Sequence, residues 1–169
     1  AINIPGPYLT SDRLMDVLKS TTKKYGIPPK AIELEITETS FVKTIAGAEK
    51  AVNEFCKAGF SVALDDFGTG VSSLSYLKRI PVTTLKIDKS FIDDVPASTK
   101  DASIIKSVVQ LGKSLNMEVV VEGVETEAQV QFLIEHCHAP YIQGYYFAKP
   151  MKPDELLNWC RAYQTPVEA

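Results

Sequence analysis

A chain of 169 residues, 45% hydrophobic and 23% charged, has enough material for one domain with a buried core, and nothing in that balance points to disorder. Its net charge of −3 leaves no basic footprint for polymeric nucleic acid, and no apolar run approaches the roughly 20 residues of a membrane-crossing helix. Three cysteines without a Cys-x-x-Cys spacing argue against a disulfide framework or a zinc ribbon, so the expected compartment is a reducing cytoplasm, with inner-membrane tethering of a longer parent left open.

The chain opens Ala-Ile-Asn-Ile, already strand-like and without an initiator methionine or signal-peptide pattern, as expected of a piece cut from something longer. After a first strand from Ile2 to Ile4, Thr10-Ser11-Asp12 starts a helix that stops at Gly26 before Pro28-Pro29. A strand from Ala31 to Ile36 leads into a helix from about Ser40 to Ala58, stopped by Gly59. Strands follow from Phe60 to Leu64 and from Thr84 to Ile87. Residues 101–115 carry Ile104, Ile105, Val108, Leu111 and Leu115 on one helical face. The last strands run from Glu118 to Val121 and from Tyr141 to Tyr145, with a Thr126-x-x-Gln129 capping box between them. Pro153 suits the first turn of a final helix carrying Leu156, Leu157 and Trp159. His136 and His138 flank Cys137, but three such neighbours point in different directions and read as a helix end, not a metal site.

Repeated strand-then-helix order means a parallel sheet covered by helices, which leaves a doubly wound open sheet or a (β/α)₈ TIM-type barrel, α/β in either case. Six units in 169 residues is about 28 residues each, so eight would take about 225, near the roughly 250 of a barrel. Polar groups weigh more heavily. Asn3, Glu35 and Glu38, Asp65 and Asp66, Lys86 and Asp88, Glu122 and Glu125, and Gln143 stand at or just past the six strand ends. An open sheet equips only the strands at its switch point, whereas a barrel brings all its strand ends to one mouth. The expected architecture is therefore an incomplete barrel with about six of its eight units.

Convergence would crowd the carboxylates of Glu35, Asp65, Asp66 and Glu122, which is untenable without protons or cations. Oxygen-only ligands, with Asn3 adding a neutral carbonyl, suit Mg²⁺ or Mn²⁺. That many ligands imply two ions, an arrangement fitted to hydrolysing a phosphate ester. Taken alone, Asp65-Asp66 would be a loop start with Asp66 capping the next turn; the convergence reverses that reading. Lys86, costly to bury unpaired, either makes a salt bridge to Asp88 or Asp65 or hydrogen-bonds the water held at the metals, orienting it or taking its proton. Glu38 and Glu125 read as loop-holding acids, and Gly68 and Gly70 as hinges of a mobile loop over the site. The Gly68 to Ser73 segment matches neither phosphate-binding glycine motif in spacing, and Asp66-Phe67-Gly68 lacks the other kinase segments.

Five ordered stretches carry a resemblance: NIPGPYL, ELEITETS, VALDDFGTGVSSLSYLKRIPVTTLKIDKSFI, VVVEGVETEAQ and IQGYYFAKP, from Asn3 to Pro150. Together they closely resemble the EAL domain, the bacterial phosphodiesterase family acting on cyclic dimeric GMP (cyclic di-GMP). The resemblance implies a (β/α)₈ barrel with one antiparallel strand, usually dimeric, holding two Mg²⁺ or Mn²⁺ ions and opening cyclic di-GMP to linear pGpG. By position it makes Asn3, Glu35, Asp65, Asp66 and Glu122 the metal ligands, with Asp65, Asp66, Glu122 and the water-contacting base Lys86 carrying catalysis. Gln143 and Glu125 become further active-site residues, and Glu38 the acid that holds the loop after the aspartates. That loop and the neighbouring helix would form the homodimer interface.

The Glu-Ala-Leu triplet that names the family precedes the region seen here. The expectation is thus a domain from residue 1 to 163, truncated at its N-terminus, with a short tail over 164–169, lacking one metal ligand and a phosphate-gripping arginine. Alone it should be inactive or weak, and its exposed edges covered by another chain or disordered. Other departures are Ile-Pro after Asn3, Val71 in place of a tyrosine, and His-Cys-His-Ala-Pro before Tyr141. An upstream sensor or GGDEF domain is the expected neighbour. The alternative reading is a degenerate domain that binds cyclic di-GMP or a protein without hydrolysing it.

Overall fold

A computed structural model describes residues 1–43, 45–70 and 74–162, with the side chains of Leu74 and Ser75 left undescribed. Six strands, β1 (Ile2–Asn3), β2 (Glu33–Thr37), β3 (Ser61–Phe67), β4 (Thr84–Ile87), β5 (Glu118–Val121) and β6 (Tyr141–Ile142), pair in sequence order, every neighbour parallel. A doubly wound sheet would reverse its order at a switch point. The unbroken order β1 to β6 is that of a barrel wall, here six units of it.

Parallel strands need crossovers, and helices supply them. Helices α1 (Gly6–Leu9) and α2 (Asp12–Tyr25) join β1 to β2, and α3 (Glu38–Lys43) and α4 (Ile45–Lys57) join β2 to β3. Helix α5 (Leu74–Leu77) precedes β4, while a 3₁₀ turn (Lys89–Phe91) and α6 (Thr99–Ser114) follow it. Helix α7 (Glu127–Phe132) runs into a π-helical turn (Leu133–Cys137) before β6, and α8 (Pro153–Ala162) comes last. Local chemistry sets these ends. Gly26, at φ 65°, closes α2 with its amide on the Lys23 and Thr22 carbonyls. Ser98 caps α6 through the Asp101 amide, and the Thr126–Gln129 capping box starts α7.

Alternation along the strands divides the sheet into two faces. Leu34, Ile36, Val62, Leu64, Leu85, Ile87, Val119 and Val121 are buried towards the helices, where Phe41, Val52, Phe55, Ile105 and Leu133 complete the core. The opposite face, which a closed barrel turns inward, carries Glu33, Glu35, Thr84, Lys86 and Val120. Thr84 Oγ1 donates to Glu33 Oε2 across it at 2.7 Å.

Several expectations needed correction. The strand expected to end at Leu64 continues to Phe67, because buried Phe67 anchors its far end on the helix side. The strand expected to reach Tyr145 ends at Ile142. The helix expected over 40–58 is two helices either side of Thr44, itself outside the described residues. Pro5 and Pro7 hid α1, which has a proline in its first turn. The final helix buries none of its residues: Leu156 is 46% and Leu157 58% exposed. All six strands are parallel, so the antiparallel strand of the resemblance is not among them. The expected 163/164 boundary falls outside the described residues.

Candidate active site

The two aspartates sit on a β-bulge. Leu64 pairs with Leu85 and Phe67 with Ile87, so Asp65 and Asp66 together oppose the single residue Lys86. Asp66 takes up the extra residue with a left-handed backbone, φ 53°, a region aspartate tolerates better than most side chains. Among the described residues its side chain caps nothing that follows: the turn at Thr69 is closed by the Asp66 carbonyl, which accepts from the Thr69 hydroxyl at 2.9 Å.

Lys86 is the hub. It is 5% exposed, and its Nζ lies 2.7 Å from Glu35 Oε1, 2.7 Å from Glu122 Oε1 and 3.3 Å from Asp65 Oδ1. Asp88, the alternative partner, instead accepts from the Ser90 amide at 3.0 Å and caps the 3₁₀ turn. Burial alone would push the lysine down. The bonds to Glu122 and Glu35 and the charges of Glu122 and Asp65 outweigh it and hold the ammonium above the ordinary lysine range.

One ammonium cannot balance three carboxylates. Although Glu122 has the ammonium at hydrogen-bond distance, burial, helped by the charges of Asp65 and Glu35, pushes its carboxyl up. Burial followed by the charges of Asp65 and Asp88 does the same to Asp66, against the pull of Lys86. Asp65 Oδ1 is buried and, among the described residues, accepts no hydrogen bond, although the Lys86 ammonium stands 3.3 Å from it. Among the described residues no three acidic, histidine or cysteine side chains close on a common point at metal-ligand spacing; the acids converge on Lys86 Nζ. An unsatisfied buried oxygen, an excess of negative charge and an all-oxygen donor set fit a hard divalent cation.

Glu38, the first residue of α3, is fully buried. Its Oε2 accepts from the Gly68 amide at 2.9 Å and the Gly70 amide at 3.4 Å, and its Oε1 from the Tyr76 hydroxyl at 2.8 Å. Gly68, at φ 97°, rests on Phe91, whose Cε2 would stand 2.8 Å from an added Cβ. Tyr76 lay outside the sequence-predicted set; its signal was a tyrosine on an apolar helix face, whose hydroxyl needs a partner once buried. Val71 lies outside the described residues.

The remaining residues are dispersed around the rim. Glu125 Oε1 accepts from Lys89 Nζ at 2.9 Å, and Lys89 also pairs with Asp93 at 2.8 Å. The Gln129 side chain ties down the Glu125 amide at 2.9 Å. Asn3 pairs with Glu35 in the ladder and Gln143 donates its amide to the Val121 carbonyl, but both side chains are exposed. A concavity of about 620 Å³ between the β6 end and α8, lined by Gln143, Tyr145, Phe147, Met151 and Trp159, shares only Gln143 with the predicted set.

The family model described as EAL domain matches residues 1–150. The chain belongs to the EAL domain family. It is 37% identical over 164 residues to the cyclic di-GMP phosphodiesterase NbdA of Pseudomonas aeruginosa, covering 97% of the chain and 21% of that protein. The EAL domain structure of Mycobacterium smegmatis DcpA matches with a TM-score of 0.88 at 34% identity, covering 98% of the chain and 74% of that domain. The EAL fold places this sheet as part of a TIM barrel. Klebsiella pneumoniae BlrP1, solved as a manganese and cyclic di-GMP complex, matches with a TM-score of 0.79 at 30% identity, covering 88% of the chain and 38% of that protein. The chain spans about a fifth of the length of the curated relatives it matches.

Proposed function

We propose that this EAL domain hydrolyses cyclic di-GMP to linear pGpG, with Asn3, Glu35, Asp65, Asp66 and Glu122 holding two Mg²⁺ or Mn²⁺ ions. The observation that carries this reading is the cluster of Glu35, Asp65 and Glu122 around one buried lysine, with an unsatisfied aspartate oxygen in its midst. When bound, the ions supply the positive charge that activates water and stabilises the phosphorane-like transition state.

The protein's part is positioning. Lys86 Nζ draws Glu35, Glu122 and Asp65 together and hydrogen-bonds the attacking water, fixing its line of approach. The water oxygen joins phosphorus, the bond from phosphorus to the 3′ oxygen breaks, and a proton ends on that oxygen, leaving the 5′ phosphate of pGpG. Gln143 and Glu125 at the rim contact the dinucleotide. Glu38 fixes the loop after Asp66, which with its neighbouring helix forms the homodimer interface, and a sensor or GGDEF domain precedes this one in the cytoplasm.

Mn²⁺ titration of the 169-residue chain, and chromatography of products from cyclic di-GMP with Mn²⁺, test the reading. Manganese binding lost in Asp65→Asn supports the ion site. Because the chain matches 74% of the DcpA domain, turnover should be weak alone and strong when it is fused to the remaining part of an EAL domain. Tight cyclic di-GMP binding without pGpG in the fusion would replace the enzyme with a receptor.

A further inference from the structure

The loop that follows the bulge is held from both of its flanks by one carboxylate. Glu38 Oε2 takes the Gly68 and Gly70 amides, before residues 71–73, and Glu38 Oε1 takes the Tyr76 hydroxyl, after them. Tyr76 is 4% exposed, and its ring lies 5.3 Å from that of Phe41, which belongs to the helix that Glu38 begins. The ring therefore packs on the element that carries the carboxylate, while the hydroxyl satisfies the oxygen the glycine amides do not use. Burial, then the bond and charge of Glu38, push the phenol well above its ordinary range, so it remains a donor. On the loop's other side Gly68 lies against Phe91. Gly68 is only two residues past Asp66, whose left-handed backbone leaves it little freedom to adjust alone.

We propose that Tyr76 is a positioning residue which, by fixing Glu38, sets the Gly68 and Gly70 amides and through them the placement of Asp65 and Asp66 for cation binding. A buried carboxylate oxygen that loses one of its donors shifts towards its remaining partners, and partners once removed from metal ligands govern affinity as well as geometry. The inference rests on the proposed ion site only for its final step.

The test is Tyr76→Phe in the 169-residue chain, which keeps the ring against Phe41 and removes the hydroxyl. In the metal-free protein, hydrogen exchange at Gly68 and Gly70 should accelerate about tenfold while Val62 and Leu85 stay protected, the mark of a local opening. Mn²⁺ titration should show a dissociation constant raised roughly tenfold. Glu38→Gln should accelerate the same two amides, and the double variant should be no worse than Glu38→Gln alone, since residues acting through one another are not additive. Tyr141→Phe, which deletes the comparable bond to Glu118, should change neither quantity. Unchanged Gly68 and Gly70 exchange in Tyr76→Phe, or additive effects in the cycle, overturns the proposal. If the unaltered chain binds no Mn²⁺, the ion site falls while the amide exchange still decides the role of Tyr76. If Phe at 76 impairs folding, the response to Glu38→Gln decides it.

Discussion

Lys86 shows how one residue can stabilise a site and expose its imbalance. Lys86→Ala leaves Glu35, Asp65 and Glu122 facing one another, and truncating a buried ion pair costs about 3–5 kcal/mol. Urea unfolding at pH 7 should show a loss of that size, shrinking in acid as the carboxylates take up protons. The raised lysine value also has a sign. Its stabilisation is complete below the unfolded lysine value of about 10.4 and is lost as pH climbs through the folded one. Glu122 behaves differently, because a carboxyl pushed up by burial favours the folded state only when protonated. That benefit is present below its unfolded value of about 4.3 and disappears as pH rises. Glu122→Gln removes the pH dependence that this carboxyl contributes, as calorimetry across about pH 4 to 7 would show, while losing cation binding. Sequence reasoning reached Lys86 because lysine ending an apolar strand has few explanations. It missed Tyr76 because a tyrosine among leucines reads as packing.

Elements with regular patterns were legible, and those with irregular backbones were not. The strands Thr84–Ile87 and Glu118–Val121 have the bounds their alternation predicts. The strand ending at Phe67 does not, since a bulge breaks the two-residue period and two acids look like the start of a loop. Glu38, a charged residue opening a helix, gives no hint in sequence that it is buried. The loop it holds should tolerate little. Gly68→Ala must keep φ 97° with a side chain and push its Cβ into Phe91, which together cost roughly 1–3 kcal/mol. Thermal unfolding should show that loss, with about half of it recovered in Gly68→Ala combined with Phe91→Leu.

For the whole molecule, the decisive feature was the strand order, which six equipped strand ends anticipated. An open wall has consequences for association. Among the described residues β1 and β6 each have one neighbour, with Ile2 44% and Tyr141 49% exposed, and Tyr145, Leu156 and Leu157 are exposed near the second edge. Unpaired edges beside apolar surface invite partners. Light scattering should show mass rising with concentration, and Leu157→Lys should reduce that rise without lowering the melting temperature. A monomer at every concentration would count against a role for these edges. No helix among the described residues is long and apolar enough to cross a membrane.

The bulge at Asp65 and Asp66 is, in the end, a matter of counting. Where β4 needs Lys86 alone to pass from Leu85 to Ile87, β3 uses two residues to pass from Leu64 to Phe67. A strand one residue shorter would pair without interruption and present one acid to the lysine. The protein gives up a regular ladder to gain a second carboxylate at the same level. Any transplant of this strand into another barrel must therefore preserve its length before its composition, because a single deletion would repair the sheet and dismantle the site.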